Sequence, residues 1–289
     1  MMAAVGAKPS AALPRLSRKG SLTRMKGAVF LGGGRITGAL AAGLRLAGDH
    51  REIVVYDRHP GKLRALRRES QVKVAHDLKS AIEQAGTLIV AVRPISVEAM
   101  LREIAACGAK PPRLGVSLAA GVQIKNLRSW LPGPIHWVRA MPSPVCRVGR
   151  GLTAVSFDRA VTTSERRSVR NLFERVGPVL DLPERQLDAM TAASSPTHGY
   201  HALAHLAEAA HKAGLDYKTA FIAAAHALSD GIIYWRQSAA TVEELLGEAA
   251  TPGGIAAATM SAMDKSGYAR AVDLGIRAGV KQCARNARR

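Results

Sequence analysis

The sequence predicts an α/β fold: a doubly wound parallel sheet in the first half of the chain, followed by an all-α region. Three observations predict it. Short apolar runs alternate with helix-period segments from residue 28 to about residue 157, the pattern of strands joined by crossover helices. The run at 87–92 is apolar almost throughout, as a strand covered on both faces must be. From Ser164 onward only alanine-rich, helix-period segments follow.

The elements follow in order. Residues 28–31 (AVFL) read as the first strand and 52–56 (EIVVY) as the second. A helix continues through 63–68, a short strand is expected at 72–75 and a short helix at 77–84 with Ala81 and Ile82 inward. The strand at 87–92 stops at Arg93-Pro94, since proline has no N–H for the ladder. The segment 97–106 places Val97, Met100, Leu101 and Ile104 at helical spacing. Further strands are expected at 113–118, 135–140 and 151–156, with a helix at 124–130. Then come helices at 164–176, 187–193, 200–213, 218–235, 241–249, 256–265 and 268–285. These boundaries give a basic extension at 1–24, a Rossmann-type dinucleotide-binding domain at 25–160, and an all-α substrate and dimerisation domain at 161–289, with the break near 158–163. The apolar helices exceed what one small bundle would bury, which points to a dimer.

The stretch that carries chemistry is Gly32-Gly33-Gly34-Arg35-Ile36-Thr37-Gly38. It lies between the first strand and a helix-forming segment, the opening of a dinucleotide-binding βαβ unit. Gly32 makes the tight turn and Gly34 lets the backbone approach a pyrophosphate. The helix N-terminus offers free N–H groups and a positive dipole end. The third glycine of the fingerprint falls on Thr37, with Gly38 next, and either provides the close helix–strand contact. Glycine triplets are also common as plain flexible turns; the flanking strands and helix favour the nucleotide site. The end of the second strand selects the cofactor. Asp57 suits a ribose diol and NAD, while Arg58 suits a 2′-phosphate and NADP. With His59 and Lys62 beside Arg58, NADP is expected and NAD is the alternative; a solvated Arg58 and Lys62 would favour neither.

The 289 residues carry a net charge of +19, of which the acid-free segment 1–24 supplies +5 through Lys8, Arg15, Arg18, Lys19 and Arg24. That segment has transit-peptide composition, or else Met25 is the start; it is left out of the fold. The basic residues are spread along the chain and aromatics are 4%. Nucleic acid is therefore not the expected partner, and a phosphorylated cofactor with an anionic substrate fits the charge. No apolar run is long enough to span a membrane. Cys107, Cys146 and Cys283 are scattered, without metal spacing or a disulfide framework; a reducing compartment, the cytoplasm, is expected.

Taken in order, the motifs resemble the pyrroline-5-carboxylate reductase family from Met25 to near the end of the chain. They are the turn at 29–34, Asp57-Arg58-His59-Pro60-Gly61-Lys62-Leu63, Val92-Arg93-Pro94, Ser117-Leu118-Ala119-Ala120-Gly121-Val122, Arg139-Ala140-Met141-Pro142-Ser143-Pro144, Val148-Gly149-Arg150-Gly151, and Thr251-Pro252-Gly253-Gly254-Ile255-Ala256. The resemblance implies NADPH-dependent reduction of a cyclic imino acid in proline biosynthesis by a homodimer joined through its C-terminal helices. Hydride moves from a reduced nicotinamide to an imine carbon, and the protein positions the partners. The resemblance adds Val92, Arg93, Pro94 and Ala119 to the cofactor contacts. It places the substrate at Ser143, Ser194, Thr197, Gly253 and Gly254.

The departures cluster where the substrate sits. The family's Thr-Thr pair is Ile255-Ala256 here, its Asn after Met-Pro is Ser143, and its glycine-rich substrate stretch reads Ser194-Ser195-Pro196-Thr197-His198-Gly199-Tyr200. Losing hydroxyl donors to a carboxylate weakens binding, since an unpaired buried polar group costs about 1–3 kcal/mol. An altered carboxylate site follows, and a nucleotide-binding sensor or partner protein without turnover is the alternative. His198, placed just before a helix, is the candidate proton donor, an exposed loop histidine being the plain alternative. His201, His205 and Glu208 share one helix face, a spacing that can bind zinc; no fourth ligand is indicated and no metal is expected. Arg93 and Arg139 stand at strand ends, Arg93 where the family has lysine and Arg139 as either a site or an ion-pair residue.

Overall fold

The computed structural model describes residues 27–286, and the basic extension 1–24 lies outside them. The described residues divide into two compact units, one of residues 27–195 and 276–286, the other of residues 196–275.

The first unit runs β1 (Ala28–Leu31), α1 (Arg35–Leu46), β2 (Ile53–Tyr56), α2 (Pro60–Ser70), β3 (Lys73–Val74), α3 (Leu78–Gln84), β4 (Thr87–Val90), α4 (Val97–Ala106), β5 (Leu114–Ser117), α5 (Ile124–Trp130), β6 (His136–Pro142), β7 (Thr153–Phe157), α6 (Thr163–Glu174), β8 (Val179–Asp181) and α7 (Leu187–Ala193). The eight strands lie in the order β3-β2-β1-β4-β5-β6-β7-β8. Successive residues of each strand face opposite layers. Phe30, Val55, Ile89, Val116 and Val138 pack with α1, α2 and α6 on one side. Val29, Leu31, Val54, Leu88, Val90 and Trp137 pack with α3, α4 and α5 on the other. Both faces are covered, which is why these strands read as continuous apolar runs. Gly115 makes room for the Trp137 ring: a Cβ there would come within 2.6 Å of it.

The structure departs from the sequence expectation at β7 and β8. Every neighbouring pair is parallel except β6 and β7, which are antiparallel. The connection between them holds a single 3₁₀ turn (Pro144–Val148), too short for a parallel crossover. The sheet also continues past the break expected near 158–163. The capping box of Thr162 and Glu165 starts α6, which buries Val169, Leu172 and Phe173 in the same core as α1, and β8 then pairs parallel with β7. Three residues at a sheet edge, two of them exposed, give too little alternation to read as a strand.

The second unit is all helical: α8 (Thr197–Lys212), α9 (Tyr217–Gln237), α10 (Val242–Ala249), α11 (Ile255–Lys265) and the start of α12 (Tyr268–Asn286), a helix that ends in the first unit. α8 and α9 bury small residues, Ala207, Ala220 and Ala224. Large apolar side chains are left outside: Ile255 is 89% exposed, Tyr234 59% and Ile232 53%. In the first unit, Gly121 (φ +83°) meets the far end of α12, where a Cβ would lie 2.1 Å from the Cys283 carbonyl oxygen. Among the described residues, no helix is long and apolar enough to cross a membrane.

Candidate active site

β1 and β4 are neighbours although β2 and β3 lie on the far side of β1. The strand order reverses between them, and beyond the carboxyl ends at such a point is where open α/β sheets bind their ligands. The glycine turn occupies that position. Gly32 has φ +110°, and a Cβ there would come 2.7 Å from the Ala91 carbonyl oxygen. Glycine is required on both grounds. Its N–H donates to the Tyr56 carbonyl at 2.7 Å. Gly34 precedes α1 with no side-chain cap and no acidic residue in the first turn. Nothing lies within 4 Å of where its Cβ would be. The first-turn N–H groups are thus left without a side-chain cap at the positive dipole end, an arrangement that suits a pyrophosphate. Arg35 is exposed and Ile36 half-buried.

The two candidates for the third glycine's place do separate work. The Thr37 hydroxyl donates to the Gly32 carbonyl at 2.6 Å and pins the turn to the helix. Gly38 lets Leu66 of α2 approach, where a Cβ would stand 3.2 Å from its methyl group.

The two cofactor-selecting residues are engaged differently. Asp57 Oδ2 accepts the Gly33 N–H at 2.8 Å, and Oδ1 accepts the His59 N–H at 2.8 Å. Lys62 Nζ is 3.5 Å from Oδ2, and the Asp57 side chain is 7% exposed. Burial pushes this carboxyl up, but the Gly33 and His59 hydrogen bonds and the Lys62 charge outweigh it and hold it below the usual carboxylate range. Arg58 is exposed and forms an ion pair with Glu103 of α4. Glu103 had no sequence signal, because the contact spans 45 positions and no spacing rule links them.

Val92 is half-buried, Arg93 is exposed, and Pro94 begins a 3₁₀ turn (Pro94–Ser96) beyond β4. Ala119 is buried after β5. Arg139 takes the ion-pair role: it is 1% exposed within β6 and binds Glu184 at 3.2 Å and Asp188 at 3.0 Å. Glu184 also accepts the Ile124 N–H at 2.8 Å. This cluster ties β6 and α5 to the start of α7.

The expected substrate residues fall in both units. Ser143 follows β6, and its hydroxyl accepts the Val145 N–H at 3.4 Å, capping the Pro144–Val148 turn. That turn is pressed against α1, since a Cβ on Gly43 would come 2.0 Å from the Cys146 carbonyl oxygen. Ser194, at the end of α7, donates its hydroxyl to the Met190 carbonyl at 2.8 Å. In the second unit, Thr197 and His198 lie in the first turn of α8. His198 does not precede the helix as the sequence reading had it. Pro196 already holds helical angles (φ −63°) and starts the helix earlier, as proline's fixed φ allows. Gly253 has φ +76° and Gly254 precedes α11, with its N–H donating to the Thr251 carbonyl at 2.9 Å. Ile255 opens that helix.

Residues 28–121 match the family described as NADP oxidoreductase coenzyme F420-dependent, and residues 184–286 match the one described as pyrroline-5-carboxylate reductase dimerisation. The pyrroline-5-carboxylate reductase of Mycobacterium leprae is 32% identical over 281 residues, covering 89% of this chain and 95% of that one. That of Mycobacterium tuberculosis is 31% identical over 274 residues, covering 86% and 92%. The chain belongs to the pyrroline-5-carboxylate reductase family. Two solved members have the same fold. Plasmodium falciparum pyrroline carboxylate reductase, solved with NADP bound, has a TM-score of 0.81 at 20% identity, covering 90% of this chain and 98% of that one. The Coxiella burnetii pyrroline-5-carboxylate reductase has a TM-score of 0.80 at 22% identity, covering 91% and 99%. Within this reductase family, the first matched region contains the glycine turn and the second contains Gly253 and Gly254.

Proposed function

We propose that this member of the reductase family uses NADPH to reduce a cyclic imino acid related to pyrroline-5-carboxylate, with its substrate carboxylate held differently from the family pattern. The identity to curated reductases over most of both chains carries the reading. When bound, a reduced nicotinamide supplies the hydride. The chain's own residues supply the rest. Gly32, Gly33 and Gly34 with the α1 N-terminus, Arg35 and Ile36, receive the pyrophosphate. Val92, Arg93, Pro94 and Ala119 line the same sheet edge. Arg58, exposed just past β2 with Lys62 close by, can exchange its Glu103 partner for a 2′-phosphate on the adenosine ribose, which favours NADPH over NADH. His198 holds a proton for the product nitrogen, and Ser143, Ser194, Thr197, Gly253 and Gly254 receive the substrate. Two copies join through the C-terminal helices, whose exposed apolar side chains suit burial in a homodimer.

Ile255 and Ala256 support a second reading, nucleotide binding without turnover, because neither offers a hydroxyl to a carboxylate. NADPH oxidation with saturating pyrroline-5-carboxylate separates the two. We expect turnover, a KM about ten- to a hundredfold lower in Ile255→Thr/Ala256→Thr, and an NADPH preference lost in Arg58→Ala. NADPH binding with no oxidation by either protein would reject the reductase reading.

A further inference from the structure

His201 and His205 stand one turn apart on α8 with both side chains exposed. Their Nε2 atoms are 3.0 Å apart, and the rings meet edge to face with centroids separated by 4.2 Å. That approach constrains protonation. A neutral imidazole has one N–H and one bare nitrogen, so the contact stands only when one Nε2 holds a proton and the other accepts it. Two protonated rings would repel. A divalent metal ion lifts the constraint, because it takes both rings through bare Nε2 atoms. Two nitrogens each about 2.05 Å from one ion lie about 2.9 Å apart at an angle of about 90° and about 3.3 Å apart at the tetrahedral angle. The observed separation lies within that interval, so the rings need little movement to close on an ion.

We infer that His201 and His205 form a two-histidine chelate for a first-row divalent transition ion of the zinc, nickel and copper class. Imidazole nitrogen selects these ions over magnesium and calcium, which take oxygen ligands. The i, i+4 spacing is the one by which a single helix presents two histidines to zinc. Among the described residues, no group of three or more metal-ligating side chains converges, so water completes the coordination and the ion exchanges readily. Glu208, one turn past His205, is held by Lys212 at 3.2 Å and adds an acidic charge to the same helix face. The site is independent of the reductase reading, and its test does not use turnover.

The test is calorimetric titration of the untagged full chain with zinc chloride. The expected result is one ion bound per chain, weakened about tenfold or more in His201→Ala and in His205→Ala. His226→Ala, which removes a ring paired with Asp230 at 2.8 Å on α9, should leave binding unchanged. Alanine at exposed helix positions favours the helix, and circular dichroism checks that the variants stay folded. Cobalt-loaded protein should show d–d absorption without a thiolate charge-transfer band. The inference is overturned by no saturable binding, by binding that survives both histidine replacements, or by a thiolate band that disappears in Cys107→Ser.

Discussion

Asp57 uses both carboxylate oxygens inside the protein, on the Gly33 N–H and on His59. Asp57→Ala would leave the Gly33 N–H without its partner. We expect a stability loss of about 1–3 kcal/mol, read from urea unfolding at pH 7. The folded carboxyl lies below its unfolded value of about 3.9, so its contribution is present above about pH 4 and is lost as pH falls through the folded value. The loss in Asp57→Ala should therefore shrink on acidification; a gap constant down to about pH 2 would contradict the assignment. The cysteines give a second check. Burial pushes the Cys146 thiol up to about 11 and also raises that of Cys283, whereas Cys107 is half-exposed. In native protein at pH 8, an aromatic disulfide reagent should titrate Cys107 alone, with the other two appearing on denaturation. At this scale, the identity of the glycine turn and of Asp57 was legible in the sequence, because backbone freedom and strand-end position restrict residue type. The occupancy of Asp57 and the Arg58–Glu103 pair were not, since both depend on contacts far apart in the chain.

At the scale of elements, close backbone approach governs tolerance. α1 lies against the Pro144–Val148 turn at Gly43, with space for no methyl group. We expect Gly43→Ala to lower the thermal midpoint by 10 °C or so or to prevent folding, as overpacking of about 1–3 kcal/mol or more predicts. Gly48→Ala meets no steric obstacle within 4 Å, so it bears only the backbone strain of alanine at φ +72°, about 1–2 kcal/mol, and should be milder by comparison in the same scan. Most helices and the buried strands were readable because their apolar periodicity is unambiguous: the expected helices at 97–106, 124–130 and 187–193 have the observed bounds. β8 escaped because a short, mostly exposed edge strand has no face to repeat. α8 began early because Pro196, which reads as a breaker, also fits the start of a helix.

For the whole molecule, the exposed apolar side chains of α9 to α12 weigh most. A monomeric soluble protein rarely leaves so many large side chains in water, and residues 184–286 match the family's dimerisation region. Sedimentation at micromolar concentration should give a dimer or a larger species. Ile233→Asp, placing a charge on an exposed apolar residue of α9, should shift the chain toward monomer at unchanged helicity. The sequence showed an excess of apolar helix surface, but amphipathic stripes cannot say which stripe meets a neighbour and which closes on its own chain.

The contact of Gly121 with Cys283 has a consequence for synthesis. Residues 276–286 belong with the sheet, yet they leave the ribosome only after the helical residues 196–275. At about 5–20 residues per second, the loop after β5 waits about 8–32 s for the turn of helix that covers it. During that interval the nascent sheet stays open at one place. A chaperone that holds incomplete chains has its natural opportunity there until α12 is made.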